Sequence, residues 1–164
     1  GMSTTMIAAQ NGRRMAVSNG DIPSGARTIE SLLAEPAEND SPSGIDADHE
    51  NEVWVVALGT NDVGQYSGPD EIAAAVNEVL ALVPEEVPLV WADVHFRDRA
   101  ERAAELNAII RDRVERRGNA VIAPWTRFAG GDGVLTADGV HPTEAGQDVF
   151  AFVVTDTVRA LLAG

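Results

Sequence analysis

Asp138-Gly139-Val140-His141 places a carboxylate three residues before an imidazole, at the mouth of the last helical pattern in the chain. An aspartate that accepts a hydrogen bond from one ring nitrogen fixes the tautomer of the histidine and stabilises its imidazolium. The other nitrogen is then free to act as a general base. A base of this kind serves a nucleophile. Read alone, the same four residues also suit a surface acid beside a surface histidine.

Other chemistry-bearing residues are few. Gly59-Thr60-Asn61-Asp62 follows an apolar run, and by itself Asn61-Asp62 suits a turn, where both side chains favour local backbone bonds. His95 sits after a strand pattern with Phe96 and Arg97, either lining a site or simply exposed, and His49 lies in an acidic stretch. Asp138, His141 and His95 offer a metal three ligands with no further one placed by spacing. The acids of residues 35–52, among them Glu38, Asp40, Asp46, Asp48 and Glu50, lack the ordered spacing of a calcium loop. The chain contains no cysteine, so thiol chemistry, disulfides and thiolate metal sites are excluded.

These residues need elements to hold them. Residues 4–10 are too short to type by periodicity, and Asn11-Gly12 suits a helix stop or a turn. Residues 15–17, Met-Ala-Val, form a brief apolar run that reads as a short strand ended by Asn19-Gly20-Asp21. A helix with Ile29, Leu32 and Leu33 on its inner stripe runs through about Ala34. Residues 35–52, rich in Pro, Ser, Gly and acids, read as a solvated surface loop. The continuous apolar run at 53–58, closed by Gly59, is the pattern of a parallel strand buried on both faces.

Pro69 and Asp70 open a helix with Ile72, Val76, Val79, Leu80 and Val83 on one face. Residues 89–94 form the next strand. Residues 97–117 form a long charged helix with Ala100, Ala103, Leu106, Ile110 and Val114 inward and Gly118 as its stop. Residues 119–123 are a further strand, and Thr143 caps a last helix through Val149, Phe152, Val153 and Val158 to Leu162. Trp54, Trp91 and Trp125 sit in or just after strands and read as core. Strands alternating with amphipathic helices predict right-handed crossovers and a doubly wound three-layer α/β/α fold with a mainly parallel sheet. Sites in such sheets form beyond the carboxyl ends of the strands, where residues 19–25, 59–62 and 138–141 would gather.

With 164 residues the chain fits a single domain. The balance of 12 basic to 26 acidic residues gives a net charge of −14, which repels nucleic acid and anionic membrane and weakly disfavours anionic substrates. No apolar run approaches the length of a membrane span, and the first residues lack the charged-then-apolar pattern of a signal peptide.

Gly59-Thr60-Asn61-Asp62 after a buried strand, together with Asp138-Gly139-Val140-His141-Pro142 before the final helix, resembles the SGNH hydrolases, also called GDSL esterases and lipases. That resemblance implies a flavodoxin-like sheet and hydrolysis of small acyl or acetyl esters, acetylated carbohydrates included, with no cofactor. It implies His141 as base, Asp138 as its orienting acid and Asn61, within Gly59 to Asp62, as an oxyanion donor. Gly25, in Ile22-Pro23-Ser24-Gly25-Ala26, is similar to the oxyanion glycine of the family. Such donors act because acyl transfer passes through a tetrahedral oxyanion that fixed N–H groups stabilise in a water-poor site.

The block that supplies the family's nucleophilic serine has no counterpart here, since Asn19-Gly20-Asp21 is followed by Ile22. If residues 15–17 match the family's second strand, its first strand, the nucleophile turn and most of its first helix would precede residue 1. Residues 4–12 then match the end of that helix. The lost strand is interior in the family, so either the N-terminal segment pairs with residues 53–58 or a second chain covers the open edge as a homodimer. The chain is in that case incomplete or inactive as an esterase, or a non-catalytic module of the same fold. Ser18 and Ser24 are the nearest substitutes for the serine.

Overall fold

The computed structural model describes residues 5–34 and 52–164. The acidic stretch and His49 therefore lie outside the described residues, apart from Glu52. The described elements are α1 (Gly25–Ala34), β1 (Trp54–Val56), α2 (Pro69–Leu82), β2 (Leu89–Ala92), α3 (Ala100–Arg117), β3 (Ala120–Ala123), α4 (Thr126–Ala129) and α5 (Glu144–Ala163). Single 3-10 turns at Thr60–Asp62 and Arg97–Arg99 follow β1 and β2.

The strands are parallel in the order β1-β2-β3, with Trp54 opposite Leu89 and Leu89 opposite Ala120. Alternation along β2 divides the core in two. Leu89 and Trp91 join Val56, Val76, Val79, Leu106, Ile110 and Val114 on one side, and Val90 and Ala92 join Ala123 and Val153 of α5 on the other. Helices α1 to α3 thus cover one face and α5 the other, giving three layers. All four residues of β2 are buried, as a central strand in such a sandwich requires. Each fully buried Leu or Ile of this core contributes roughly 2 kcal/mol of transfer free energy.

Sequence signals place the helix ends. Pro69 starts α2 with Asp70 and Glu71 in its first turn, where the helix dipole favours acids. Gly118, with φ 84°, ends α3. Arg117 then donates through Nη2 to the carbonyls of Val83, Pro84 and Val87, fastening the end of α3 to the turn before β2.

Several expectations are corrected. Residues 15–17 form a bend, and residues 5–10 are irregular and exposed. The reason lies in the backbone partners. The N–H of Met15 is taken by the Asp62 carboxylate at 3.0 and 3.2 Å. The carbonyls of Arg14 and Met15 accept from the N–H groups of Gly25 and Ala26 at 2.8 and 3.0 Å. With these groups occupied the segment does not pair with β1, which among the described residues is bonded to β2 alone. The strand expected at 53–58 shrinks to Trp54–Val56, and it is not buried on both faces. Val56 is 4% exposed but Val55 is 44% exposed, because α5 packs on β2 and β3 and leaves that side of β1 open. Strand β2 likewise ends at Ala92 rather than residue 94. The four-residue helix α4 was not expected; it forms where the Asp93 carboxylate accepts from the N–H and hydroxyl of Thr126, both at 2.7 Å.

Candidate active site

The base loop is a small hairpin before α5. Leu135 bridges Pro142, and Thr136 N–H donates to the His141 carbonyl at 2.8 Å. Gly139 makes the turn at φ 69°, a conformation that costs glycine little. Inside the hairpin Asp138 is surrounded by donors. Its Oδ1 accepts from the Thr136 hydroxyl at 2.7 Å, Val140 N–H at 2.8 Å and His141 N–H at 3.1 Å. Its Oδ2 lies 2.7 Å from Nδ1 of His141. The Thr136 hydroxyl, then the His141 ring and the two backbone amides, hold the Asp138 carboxyl far below the usual carboxylate range. An ionised carboxylate only accepts, so Nδ1 carries the proton and Nε2 presents its lone pair. The imidazole is 72% exposed, open to an incoming group.

The loop is continuous with the last helix. The Thr143 hydroxyl accepts from Gly146 N–H at 3.0 Å, capping α5, and donates to the Gly133 carbonyl at 2.6 Å. Gly146 lies so near the Val134 carbonyl that a Cβ there would overlap it.

The second half of the site follows β1. Gly59, at φ 121°, has no room for a side chain, since a Cβ would lie 2.8 Å from a Val94 methyl. The 3-10 turn it starts leaves Asn61 exposed and Asp62 only 1% exposed. The Asn61 amide donates to the Arg13 carbonyl at 3.1 Å. Besides Met15 N–H, Asp62 accepts from the Tyr66 hydroxyl at 2.7 Å and lies 3.5 Å from Arg14 Nε. Burial pushes the Asp62 carboxyl pKa up, against the lowering effect of Tyr66, Met15 and Arg14. Burial and the adjacent Asp62 also raise the Tyr66 phenol, so it keeps its proton and donates.

Gly25 packs beneath Leu58 at the first turn of α1, and its N–H donates to the Arg14 carbonyl. The two consecutive carbonyls of Arg13 and Arg14 thus take one N–H of the Asn61 amide and the N–H of Gly25, the two donor groups named from the sequence. Ser24 is fully buried, and its Oγ accepts from Arg27 N–H at 3.2 Å, which fixes it as the cap of α1. Ser18 is exposed.

The two halves are linked by the loop after β2. Arg97 bonds the base loop through its N–H to Gly139 O and through Nη1 to Ala137 O, both at 3.2 Å. Arg99 Nη1 donates to Val63 O at 3.0 Å beside the Asn61 turn. Asn107 of α3 holds the same loop from behind, with its amide accepting from Val94 N–H and donating to Val94 O at 2.8 Å. His95 lies here, half-buried. Burial lowers its pKa first and the Arg97 charge adds to this, against Asp93. Among the described residues no group of three or more histidine and acidic side chains converges as a metal site, and no helix is long and apolar enough to cross a membrane. Sequence reading missed Tyr66, Arg99 and Asn107. Arg97 was named only as a neighbour of His95 and as the start of the charged helix, with no tie to the base loop.

The parallel sheet, its flanking helices and these loops define a three-layer α/β/α domain of the SGNH type. The profile of the GDSL-like Lipase/Acylhydrolase family matches residues 5–149, and the chain belongs to that family. Among solved structures it is similar to the crystal structure of the lipase/acylhydrolase from Enterococcus faecalis, with a TM-score of 0.55 and 16% identity over 65% of this chain. The chain spans 60% of that protein's length; at this identity the likeness is one of fold. Comparison with curated proteins gives no match.

Proposed function

We propose that the chain provides the acid–base and oxyanion parts of an esterase for small acyl or acetyl esters, acetylated carbohydrates included. In this reading the serine nucleophile enters on a further strand laid along the open side of β1. The observation that carries the proposal is the Asp138–His141 pair, 2.7 Å apart with the imidazole exposed. A serine hydroxyl beside Nε2 gives up its proton as it attacks the ester carbonyl, and the imidazolium, steadied by Asp138, returns that proton to the leaving alcohol. The oxyanion takes hydrogen bonds from the Asn61 amide and Gly25 N–H. The Arg14 carbonyl holds the Gly25 N–H and the Arg13 carbonyl one N–H of the Asn61 amide, so an incoming strand that displaces that short segment frees the Gly25 donor and leaves both N–H groups of Asn61 for the oxyanion.

The test is hydrolysis of p-nitrophenyl acetate. Residues 1–164 alone should turn it over negligibly, and the chain extended by the upstream coding sequence should turn it over with a dependence on His141. Strong turnover by residues 1–164 that survives His141→Ala would sink the assignment.

The occupied donors also favour a second reading, a non-catalytic module that binds a carbohydrate or acyl ligand or pairs with a second copy along β1. An in-frame stop codon immediately upstream of Met2 supports that reading, and an in-frame apolar strand ending in a serine turn supports the first. Labelling of residues 1–164 by a fluorophosphonate, abolished by Ser18→Ala, would instead make Ser18 the nucleophile.

A further inference from the structure

The hairpin that carries Asp138 and His141 makes most of its hydrogen bonds within itself or to the start of α5. Among the described residues, the bonds that reach residues 135–142 from elsewhere in the chain both come from Arg97. They fall on the carbonyls of Ala137 and Gly139, the residues on either side of Asp138. The aliphatic part of the same side chain packs against the turn, since a Cβ on Gly139 would lie 2.5 Å from Arg97 Cβ and 2.8 Å from its Nε. Arg97 therefore touches the turn through its backbone, its stem and its guanidinium.

Two residues on, Arg99 sends its guanidinium the opposite way, to the Val63 carbonyl next to the Asn61 turn, with its charge 5.4 Å from the Phe96 ring. One 3-10 turn thus fastens one arginine to each half of the site, and Asn107 clamps the loop that carries it to α3. A guanidinium suits this task because its planar donors are fixed relative to one another.

We propose that Arg97 is a positioning residue: by fixing the carbonyls of Ala137 and Gly139, the residues on either side of Asp138, it holds the carboxylate in line with His141 Nδ1 and so sets the tautomer of the base. The proposal rests on the esterase reading for its purpose but not for its test, which reads the ring itself. A free imidazole favours the Nε2–H tautomer, whereas the bond to Asp138 demands Nδ1–H.

Ring nitrogen shifts of His141, measured by long-range nitrogen–proton correlation NMR on residues 1–164 at a pH where the ring is neutral, report the ratio directly. The native chain should be predominantly Nδ1–H, and Asp138→Asn should lose that bias. Arg97→Met keeps the stem and backbone N–H but removes the guanidinium, and it should shift the ratio at least threefold toward Nε2–H. Arg97→Lys, which keeps a donor for Ala137 O, should recover most of the native ratio. Gly139→Ala, which pushes the turn off Arg97 from the other side, should shift it in the same direction as Arg97→Met. An unchanged ratio in a folded Arg97→Met chain, with Asp138→Asn altered, overturns the proposal. So does an equal shift in Arg102→Met, whose guanidinium meets Glu105 on the surface of α3. Failure of the esterase reading would appear in p-nitrophenyl acetate turnover and leave these ratios untouched.

Discussion

The two halves of the site are built differently. Asp138 and His141 take their own hydrogen bonds from residues at most five positions away, within one hairpin that Arg97 anchors from outside. The Asn61–Asp62 turn is completed by partners 47 and 48 positions away, at Met15 and Arg13. One half is exposed, with the hydrogen bonds of its acid and base made inside its own loop. The other contains a buried carboxylate whose partners come from the N-terminal segment, so its geometry depends on where that segment lies. Local hydrogen bonding makes a site robust, and long-range bonding makes it responsive to rearrangement.

Substitutions in each half test this contrast. In the ester-hydrolysing form, His141→Ala should lower kcat by roughly 10³-fold, about 4 kcal/mol of barrier, with no change in thermal stability, because the ring is exposed and bonded only within its loop. Loss of stability alongside activity would show the base loop to be less self-sufficient than its bonds imply. Asn61→Ala should cost about 10²-fold in kcat with KM nearly unchanged, as expected for a donor that acts only on the oxyanion. An effect confined to KM would assign Asn61 to ground-state binding. Asp62→Ala should leave the Asp138–His141 ring signals in place and lower stability by about 2–3 kcal/mol, by stranding the Met15 N–H and Tyr66 hydroxyl. Urea denaturation gives that number, and limited proteolysis near residues 13–15 should accelerate with it.

The smallest effect is in pH, and its sign differs between the halves. Asp62 has a raised carboxyl pKa, so its contribution to stability is full below the ordinary carboxylate value of about 4 and is lost as pH rises through the raised value. Asp138 has a lowered one, so its contribution is present above about 4 and is lost as pH falls toward the lowered value. Urea midpoints against pH should therefore lose their decline above pH 4 in Asp62→Asn and part of their acid decline in Asp138→Asn. Matching profiles in the two variants would contradict the assigned directions.

What could be read from the sequence follows the same division. An acid three residues before a histidine is a local pattern, and it predicted a contact that the hairpin makes. The alternation of apolar runs and amphipathic helices gave the layers, because burial on both faces of β2 leaves its mark on every residue from 89 to 92. The failures lie where a segment's partner is far away. Met-Ala-Val at 15–17 has the composition of a strand, yet its backbone groups are claimed by Asp62 and the start of α1. Nothing local distinguishes Arg97, which ties the base loop, from Arg102, which meets Glu105 on the surface of α3. Ser24 read as a loop serine because a helix cap and a free hydroxyl look alike until burial is known.

The close approach of Gly146 to the Val134 carbonyl bears on the order in which the molecule opens. The first turn of α5 cannot lift away without dragging the strand-like leg of the base hairpin, and that leg cannot move without breaking the cap at Thr143. Helix docking and assembly of the proton-transfer pair are then one cooperative event. Amide protons of Thr136, Thr143 and Gln147 should exchange with deuterium at a common rate, as a single unfolding unit that includes the C-terminal helix.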